Sequence, residues 1–250
     1  MRWLAHGERD LPTALGWLSQ HERAQLDTIR FTKRRGEYLT RRWTAKRAIA
    51  TVLELDLVAT TLASVEIRNR PSGAPYVEIA GRAAPVDVSL TDRAGWAVCL
   101  VGPPGDAVAG TLGVDLELVE PRTDGFVEDF FTDAERRYVR GLESGEPRDE
   151  AANLIWSAKE AALKVRQEGL RADTRSVEVE LDHNRRVDGW AAMSVRAVDG
   201  TPMPGWWRRD GVFVLTIVFA AAGEPPDLLP GGAQLAAAEP THSWVDHPLA

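Results

Sequence analysis

The chain has 250 residues, 44% hydrophobic and 27% charged, which is ordinary for a globular protein and allows one large domain or two small ones. Its net charge of −7 argues against general nucleic-acid binding, and no apolar run approaches the roughly 20 residues of a membrane span. The N-terminus lacks a signal-peptide core and Cys99 is the only cysteine, so we expect a cytoplasmic protein without an internal disulfide.

The first 55 residues form a basic, helical region. The helices predicted there span residues 12–19, 22–29 and 33–55. Between positions 23 and 47 there are nine Lys or Arg residues against two acids. The apolar residues that recur at helical spacing and predict a core face are Tyr38, Ala45, Ile49 and Val52. The cations beside this face, Arg35, Arg42 and Lys46, form either a solvated surface or an anion-binding surface.

Short β-type runs follow, separated by Gly, Pro and Asp. They are SVEIRN, PYVEI, VDVSL and WAVCLVG, with TLGVDLELV as a further strand near position 112. A mostly helical stretch is predicted over residues 124–167, and the strands after it are SVEVEL, GWAAMSVRAV and GVFVLTIVF. The order of helices then strands therefore occurs twice, which predicts an α+β fold with two halves. The expected units are residues 1–105, residues 106–220 and a loosely ordered tail rich in Ala, Gly and Pro over residues 221–250.

The strand TLGVDLELV alternates between its two faces. Leucine and valine side chains point into a core, whereas Gly113, Asp115 and Glu117 point the other way. Neighbouring carboxylates repel each other unless they face water or share a cation, and such hard oxygen ligands suit Mg²⁺. The two acids therefore mark either a metal site or an exposed, solvated edge.

The helix NLIWSAKEAALKV stacks Trp156, Glu160 and Lys164 on one face, because positions four apart lie above one another. The apolar stripe on its other side, which is suited to a core, comprises Leu154, Ala158, Ala161, Ala162 and Val165. Glu160 and Lys164 form either a solvated ion pair or part of a site, and we expect Trp156 to be a packing residue.

Together, GVDLE and WSAKEAALK resemble the paired signature G-[IV]-D-x-E and W-x-x-K-E-[AS]-x-x-K of the larger, surfactin-type 4′-phosphopantetheinyl transferases. The segment FFTDAERRYV is similar to the F-[ST]-x-x-E segment of that family. The resemblance implies two similar halves related by a pseudo-two-fold, with the active site in the cleft between them. It also implies a monomer that uses Mg²⁺ to transfer the phosphopantetheine arm of coenzyme A to a serine of an acyl or peptidyl carrier protein, releasing 3′,5′-ADP.

The resemblance implies roles for individual residues. The implied Mg²⁺ ligands are Asp115, Glu117 and Glu160. The implied coenzyme A contacts are Lys159, Lys164, Thr91, Asp92, Arg42 and Thr40. Either Glu160 or a metal-bound water activated by Glu117 is the implied base for the serine hydroxyl, and Lys164 acts on the phosphate.

Two positions depart from the pattern of the family. Asp92 stands where the family has a histidine that contacts phosphate, and Ala74 stands where it often has a cation. A carboxylate beside a phosphate opposes binding, so these residues predict weakened coenzyme A use, for which Arg93, Arg68 or Arg70 are candidate compensations.

Carrier proteins are acidic, so the partner surface is expected to be locally basic. The candidate residues for this surface are Arg122, Arg136, Arg137, Phe126, Phe130 and Phe131, although the phenylalanines equally suit a core. Two other functions remain open: a catalytically weak relative that only binds a carrier or partner protein, and a Mg²⁺ enzyme that acts on another phosphate ester.

Overall fold

The structure is a computed structural model, and it describes residues 1–104, 111–168 and 172–241. Its helices are α1 (Gln20–Thr28), α2 (Thr32–Val52), α3 (Ala59–Ser64), α4 (Asp124–Phe130), α5 (Asp133–Arg140) and α6 (Glu146–Val165). Its strands are β1 (Arg2–Gly7), β2 (Val65–Asn69), β3 (Pro75–Ile79), β4 (Arg82–Ala83), β5 (Asp87–Arg93), β6 (Trp96–Gly102), β7 (Leu112–Leu118), β8 (Val177–Val187), β9 (Trp190–Ala197), β10 (Pro202–Asp210), β11 (Phe213–Phe219) and β12 (Asp227–Leu228). The fold is mixed α+β, as predicted. None of the described helices is both long and apolar enough to cross a membrane.

The strands form three sheets, and the two larger ones each carry a long helix. The first sheet has the order β12-β1-β6-β5, with α2 packed on it through apolar residues such as Ala45 and Ile49. The second has the order β7-β11-β10-β9-β8, with α6 packed on it through Leu154 and Ala158. The small sheet β2-β3-β4 flanks the first one.

The two sheets meet where β5 passes β7, and one hydrophobic core joins them. Val98 and Leu100 of the first sheet pack with Val114 and Leu116 of the second. Polar contacts also cross this junction, since the Ser89 hydroxyl accepts a hydrogen bond from the Val114 amide at 3.0 Å. The side chains on β5 and β7 are thus held in fixed positions relative to each other.

Beside each large sheet lies a buried Glu–Lys ion pair, and the two pairs have similar local partners. On α1, Glu22 closes a capping box with Ser19 and pairs with Lys46 of α2 at 2.6 Å. On α5, Glu135 closes a capping box with Thr132 and pairs with Lys159 of α6 at 2.8 Å. Each lysine follows its glutamate by 24 residues and also donates to two backbone carbonyls near the start of a strand. These are the carbonyls of Leu62 and Val65 for Lys46, and those of Thr174 and Val177 for Lys159.

The structure differs from the predicted elements mainly at the chain ends. Residues 12–19 do not form a helix, and the preceding residues form the central strand β1. Strand β10 was not predicted, because Pro204 and Gly205 interrupt its β-type sequence. The expected boundary at residues 105 and 106 lies outside the described residues.

The tail also differs from expectation over the part that the structure describes, residues 221–241. β12 pairs in parallel with β1, and the amide of Ala233 donates to the Ala5 carbonyl at 2.8 Å. Leu229 and Leu235 are buried in two different hydrophobic clusters. The prediction of loose order is therefore wrong for this stretch, because its leucines have core positions to fill.

Candidate functional site

Strand β7 carries the two predicted carboxylates. Its leucines and Val114 are buried as the alternation predicts, and β11 pairs with it in antiparallel register, with Thr216 opposite Asp115. The predicted exposed edge is not observed, since β7 has β11 on one side and β5 close to the other. Asp115 and Glu117 are both largely buried, with side chains 8% and 12% exposed.

Helix α6 lies directly against the polar face of β7, and Gly113 permits this close approach. A Cβ atom added at Gly113 would stand 1.9 Å from the carbonyl oxygen of Ala161, so any larger residue would push the helix away. The predicted apolar stripe of α6 is entirely buried. Ser157 shares a hydrogen bond of 2.8 Å with Thr216, which fixes the rotation of the helix. Glu160 and Lys164 therefore face the strand carboxylates.

Asp115 stands at the centre of the assembly. Its Oδ1 atom accepts hydrogen bonds from the Lys164 ammonium at 2.8 Å and from the Thr91 hydroxyl at 3.0 Å. Lys164 also donates to the Val114 carbonyl at 2.7 Å. The Oδ2 atom of Asp115 is buried and has no hydrogen-bond partner among the described residues. One side of this carboxylate is thus satisfied and the other is open to a ligand.

Glu117 has a different environment. Its Oε2 atom lies 3.0 Å from Arg122 and 3.1 Å from Arg93, and its Oε1 atom accepts from the Trp156 indole at 3.2 Å. Arg93 also pairs with Glu120. Burial raises the pKa of Glu117 to about 7, with the negative charge of Asp115 adding to the shift and the two arginines opposing it.

Glu160 is the third carboxylate. Its Oε1 atom is buried and has no hydrogen-bond partner within the described part of the chain. Burial raises the pKa of Glu160 to about 7, the charges of Asp115 and Glu117 raise it further, and Lys164 opposes them. The three carboxylates are therefore close enough to repel one another.

A divalent cation would relieve this repulsion, and two of the three residues fit it. Asp115 and Glu160 each present a buried oxygen that lacks a partner, and carboxylate oxygens are the ligands that Mg²⁺ prefers. Glu117 does not fit in this conformation, because both of its oxygens are already bound. Accordingly, residues 1–104, 111–168 and 172–241 contain no group of three His, Cys, Asp or Glu side chains arranged to hold a metal ion. The predicted three-carboxylate site is thus not formed as such.

A cleft of about 350 Å³ opens beside Lys164 and extends between the two sheets. Its cationic residues are Lys164 together with Arg41 and Arg42 of α2. The turn at Ser72, Gly73 and Ala74 lines the opposite wall, and Gln167 reaches across to Ser72 at 3.4 Å. The cleft therefore combines positive charge with polar and apolar walls, a composition suited to a nucleotide bearing several phosphates.

Asp92 does not present a bare carboxylate to this cleft. Its Oδ1 atom pairs with the Arg41 guanidinium at 2.6 Å. The negative charge is therefore neutralised by a residue of the basic helix α2. The proposed compensation by Arg93 is wrong, since Arg93 binds Glu117 and Glu120 instead.

Three of the predicted coenzyme A contacts are contradicted. Lys159 is fully buried. Its ammonium group pairs with Glu135 and donates hydrogen bonds to the carbonyls of Thr174 and Val177. Thr40 is buried and donates to the Gly36 carbonyl of its own helix. Thr91 donates to Asp115, so it positions the carboxylate rather than contacting the cleft.

Arg42 does line the cleft, where it stacks over Tyr38 at 4.8 Å and lies 3.7 Å from Glu22. Of the candidate replacements for the cation missing at Ala74, Arg68 pairs with Glu66 and Glu78 and Arg70 stacks on Tyr76. Neither lines the cleft among the residues described.

Most residues of the predicted carrier surface make contacts within the protein. Arg122 binds Glu117 and Asn153, and Arg136 binds Glu128 and Asp133. Phe131 is buried, while Phe126 and Phe130 pack edge to face on Trp156, which confirms Trp156 as a packing residue. Arg137 remains exposed on α5.

Sequence reasoning did not assign Arg41 to the site. Arg41 lies in the basic run of residues 23–47, but the resemblance implies Arg42 as the contact, and Arg42 shares a helical line with Arg35 and Lys46. Lys46 is in fact buried, so that line points partly into the core. The adjacent pair Arg41–Arg42 would have been the better signal, because two neighbouring arginines reach different sides of one helix.

The comparisons with known proteins give a family match over part of the chain and a weak structural likeness. Residues 111–189 match the sequence model described as the 4′-phosphopantetheinyl transferase superfamily. One similar solved structure is a holo-(acyl-carrier-protein) synthase from Bacillus anthracis str. Ames in complex with CoA (3′,5′-ADP), at 20% identity and a TM-score of 0.32 over 43% of this chain and 92% of that chain. No curated protein matches. The segment that carries Asp115, Glu117, Glu160 and Lys164 is thus the one that matches the 4′-phosphopantetheinyl transferase superfamily.

Proposed function

We propose that this protein is a surfactin-type 4′-phosphopantetheinyl transferase. It would move the phosphopantetheine arm of coenzyme A to a serine of an acyl or peptidyl carrier protein and release 3′,5′-ADP. One observation carries the proposal: within the segment that matches the superfamily, β7 and α6 bring three carboxylates and Lys164 together beside a cationic cleft.

The chain offers separate groups for each part of coenzyme A. Arg41 and Arg42 would face the phosphates of the nucleotide, and Lys164 would meet the diphosphate where the bond breaks. Lys164 is held by Asp115 and the Val114 carbonyl, so its ammonium is positioned before substrate arrives. Such fixed charges lower the barrier to phosphoryl transfer because they need no reorganisation as charge develops.

Asp115 and Glu160 would hold Mg²⁺, and Glu117 would join them once its ion pairs with Arg93 and Arg122 open. When bound, the ion supplies charge neutralisation at the diphosphate. The proton of the serine hydroxyl would pass to Glu160, or through a water to Glu117. The pH dependence of the transfer rate at saturating Mg²⁺ in Glu160→Gln and Glu117→Gln separates these two routes, because only loss of the base removes its titration.

The repeated pairs Glu22–Lys46 and Glu135–Lys159 support the two-half organisation, with units near residues 1–105 and 106–220 and the site in the cleft between them. The monomeric state and the cytoplasmic location stay predictions.

Intact-mass measurement tests the proposed function. The protein is incubated with coenzyme A, Mg²⁺ and an apo carrier protein, with Asp115→Asn as the matched inactive variant. A gain of one phosphopantetheine unit, lost in the variant, is the expected result. Co-elution with the carrier without a mass gain would instead favour a catalytically weak relative, for which the engagement of Glu117 by two arginines is the supporting observation.

A further inference from the structure

A basic, partly apolar depression of about 510 Å³ lies where α1 passes into α2. We call it the entrance surface and define it by Arg30, Phe31, Arg34 and Arg41, all of which line it. It is separate from α4 and α5, where a carrier surface was predicted.

Phe31 is the apolar centre of the entrance surface. It is 68% exposed, whereas Tyr138, the other exposed aromatic among the described residues, is 38% exposed. The guanidinium of Arg34 lies 5.9 Å from its ring centroid. A large aromatic ring displayed beside cations is typical of binding surfaces, where such residues act as anchors.

The backbone that displays Phe31 is fixed. Arg35 donates to the carbonyls of Leu26 at 2.6 Å and Ile29 at 3.2 Å, which ties the start of α2 to the end of α1. Phe31 is also the N-cap of α2, so its position is set by the helix. A partner would therefore meet a preorganised ring rather than a moving loop.

The charge of the entrance surface opposes that of the whole protein. Although the chain carries −7, the depression is lined by Arg30, Arg34 and Arg41 against the acid Glu37, and the first turn of α2 contains no acid to neutralise the helix dipole. Glu37 lies 3.9 Å from Lys33. A locally basic surface on an acidic protein selects acidic partners, because the rest of the molecule repels them.

Arg41 connects the entrance surface to the cleft, since it lines both. A partner seated on Phe31 would stand at the mouth of the cleft that holds Lys164. Arg122 and Arg136 on the other candidate surface are bound to neighbouring acids, as Arg41 is to Asp92, whereas Arg30 and Arg34 form no ion pair with an acid among the described residues.

We infer that the entrance surface docks the acidic protein that bears the acceptor serine, with Phe31 as the apolar anchor and Arg30 and Arg34 as the charges that face it. This inference rests on the proposed function, because that function requires a protein acceptor at the cleft.

The test measures binding of an apo acyl carrier protein whose acceptor serine is replaced by alanine. The variant is Arg30→Glu/Arg34→Glu, and the matched control is Arg82→Glu/Arg186→Glu, two exposed arginines elsewhere that give the same change in net charge. We expect the entrance variant to weaken binding roughly tenfold or more, with a larger effect at low salt, while the control changes little. Phe31→Ala should weaken binding several-fold, and coenzyme A affinity, measured separately, should stay unchanged.

Equal weakening by both double variants would overturn the inference, because net charge alone would explain it. Retained binding in the entrance variant, loss on Arg137→Glu, absence of carrier binding by the wild type, or preference for nucleic acid would also overturn it. The two proposals fail separately. Carrier binding through Phe31 without transfer refutes only the transferase, whereas transfer with an unchanged carrier KM in the entrance variant refutes only the docking surface.

Discussion

The Nζ atom of Lys159 lies 2.8 Å from Oε2 of Glu135, and neither side chain is appreciably exposed. Removing one partner of a buried pair leaves the other charge uncompensated, so Lys159→Met should destabilise the protein by roughly 3–5 kcal/mol. Chemical denaturation measures this loss. Lys46→Met, which breaks the equivalent pair with Glu22, should behave alike. If Lys159→Met remained stable but bound coenzyme A more weakly, Lys159 would be a phosphate contact, as the family resemblance implies.

Lys164 should show the opposite behaviour. Its side chain is 27% exposed and lines the cleft, so Lys164→Met should cost much less stability than Lys159→Met. Loss of one charge-stabilising group costs roughly 3–4 kcal/mol in the transition state, which predicts a fall in kcat/KM of about 10²–10³-fold. Transfer assays at saturating Mg²⁺ measure it, and a large stability loss with normal turnover would make the Lys164–Asp115 pair structural.

Asp92→Asn should tighten coenzyme A binding, but through Arg41. The substitution releases the Arg41 guanidinium, now 2.6 Å from Asp92, to face the ligand. A gain of about 1 kcal/mol, or roughly fivefold in affinity, is expected, and it should be larger at low salt. Calorimetry measures the coenzyme A affinity of Asp92→Asn, of Arg41→Ala and of the double variant, and this cycle shows whether the gain depends on Arg41. If Asp92 itself repelled the nucleotide, the gain would persist in the Arg41→Ala background.

His6 should make the protein acid-sensitive. Burial lowers the pKa of His6 to about 4, assisted by the charge of Arg47 and opposed by Asp10 and by the hydrogen bond with the Gly231 carbonyl. The unfolded chain therefore binds a proton near pH 6.5 that the folded protein excludes. The stability that His6 contributes is thus complete above that pH and falls towards pH 4.

The contribution that His6 loses between pH 7 and 5 is roughly 2 kcal/mol, while the raised pKa values of Glu117 and Glu160 favour the folded protein over the same range. Denaturant titrations at the two pH values should show that the change in unfolding free energy on acidification is more favourable in His6→Gln than in the wild type by about this amount, with His21→Gln as the control. An equal loss in all three proteins would place the acid sensitivity in other groups.

Periodicity predicted the elements that build the site and failed where contacts are decided by distant parts of the chain. The alternation of β7 and the apolar stripe of α6 are local patterns, and both are confirmed. That Glu117 would be held by Arg93, from a strand of the other sheet, follows only from the packing of β5 beside β7. No spacing in the sequence encodes that contact.

Lys159 shows a different limit. Its position beside Glu160 in the signature made it resemble a ligand residue, and a lysine gives no local sign that it will be buried. The available signal was non-local: Glu135 precedes it by the same 24 residues that separate Glu22 from Lys46. The tail was misjudged for a similar reason, since its composition indicates disorder while Leu229 and Leu235 have specific positions in the core.

The repeated Glu–Lys pairs have a consequence for assembly. Among the described residues, the hydrogen-bond partners of each pair lie on the same side of the chain as the pair, before residue 105 or after residue 110. Each side therefore compensates its own buried charges. The sides are joined by an apolar core that Val98, Leu100, Val114 and Leu116 share, by hydrogen bonds between β5 and β7, and by the pairing of β12 with β1. Two separately expressed fragments should therefore recognise each other as a heterodimer and rebuild the cleft, because the surface each exposes is complementary to the other.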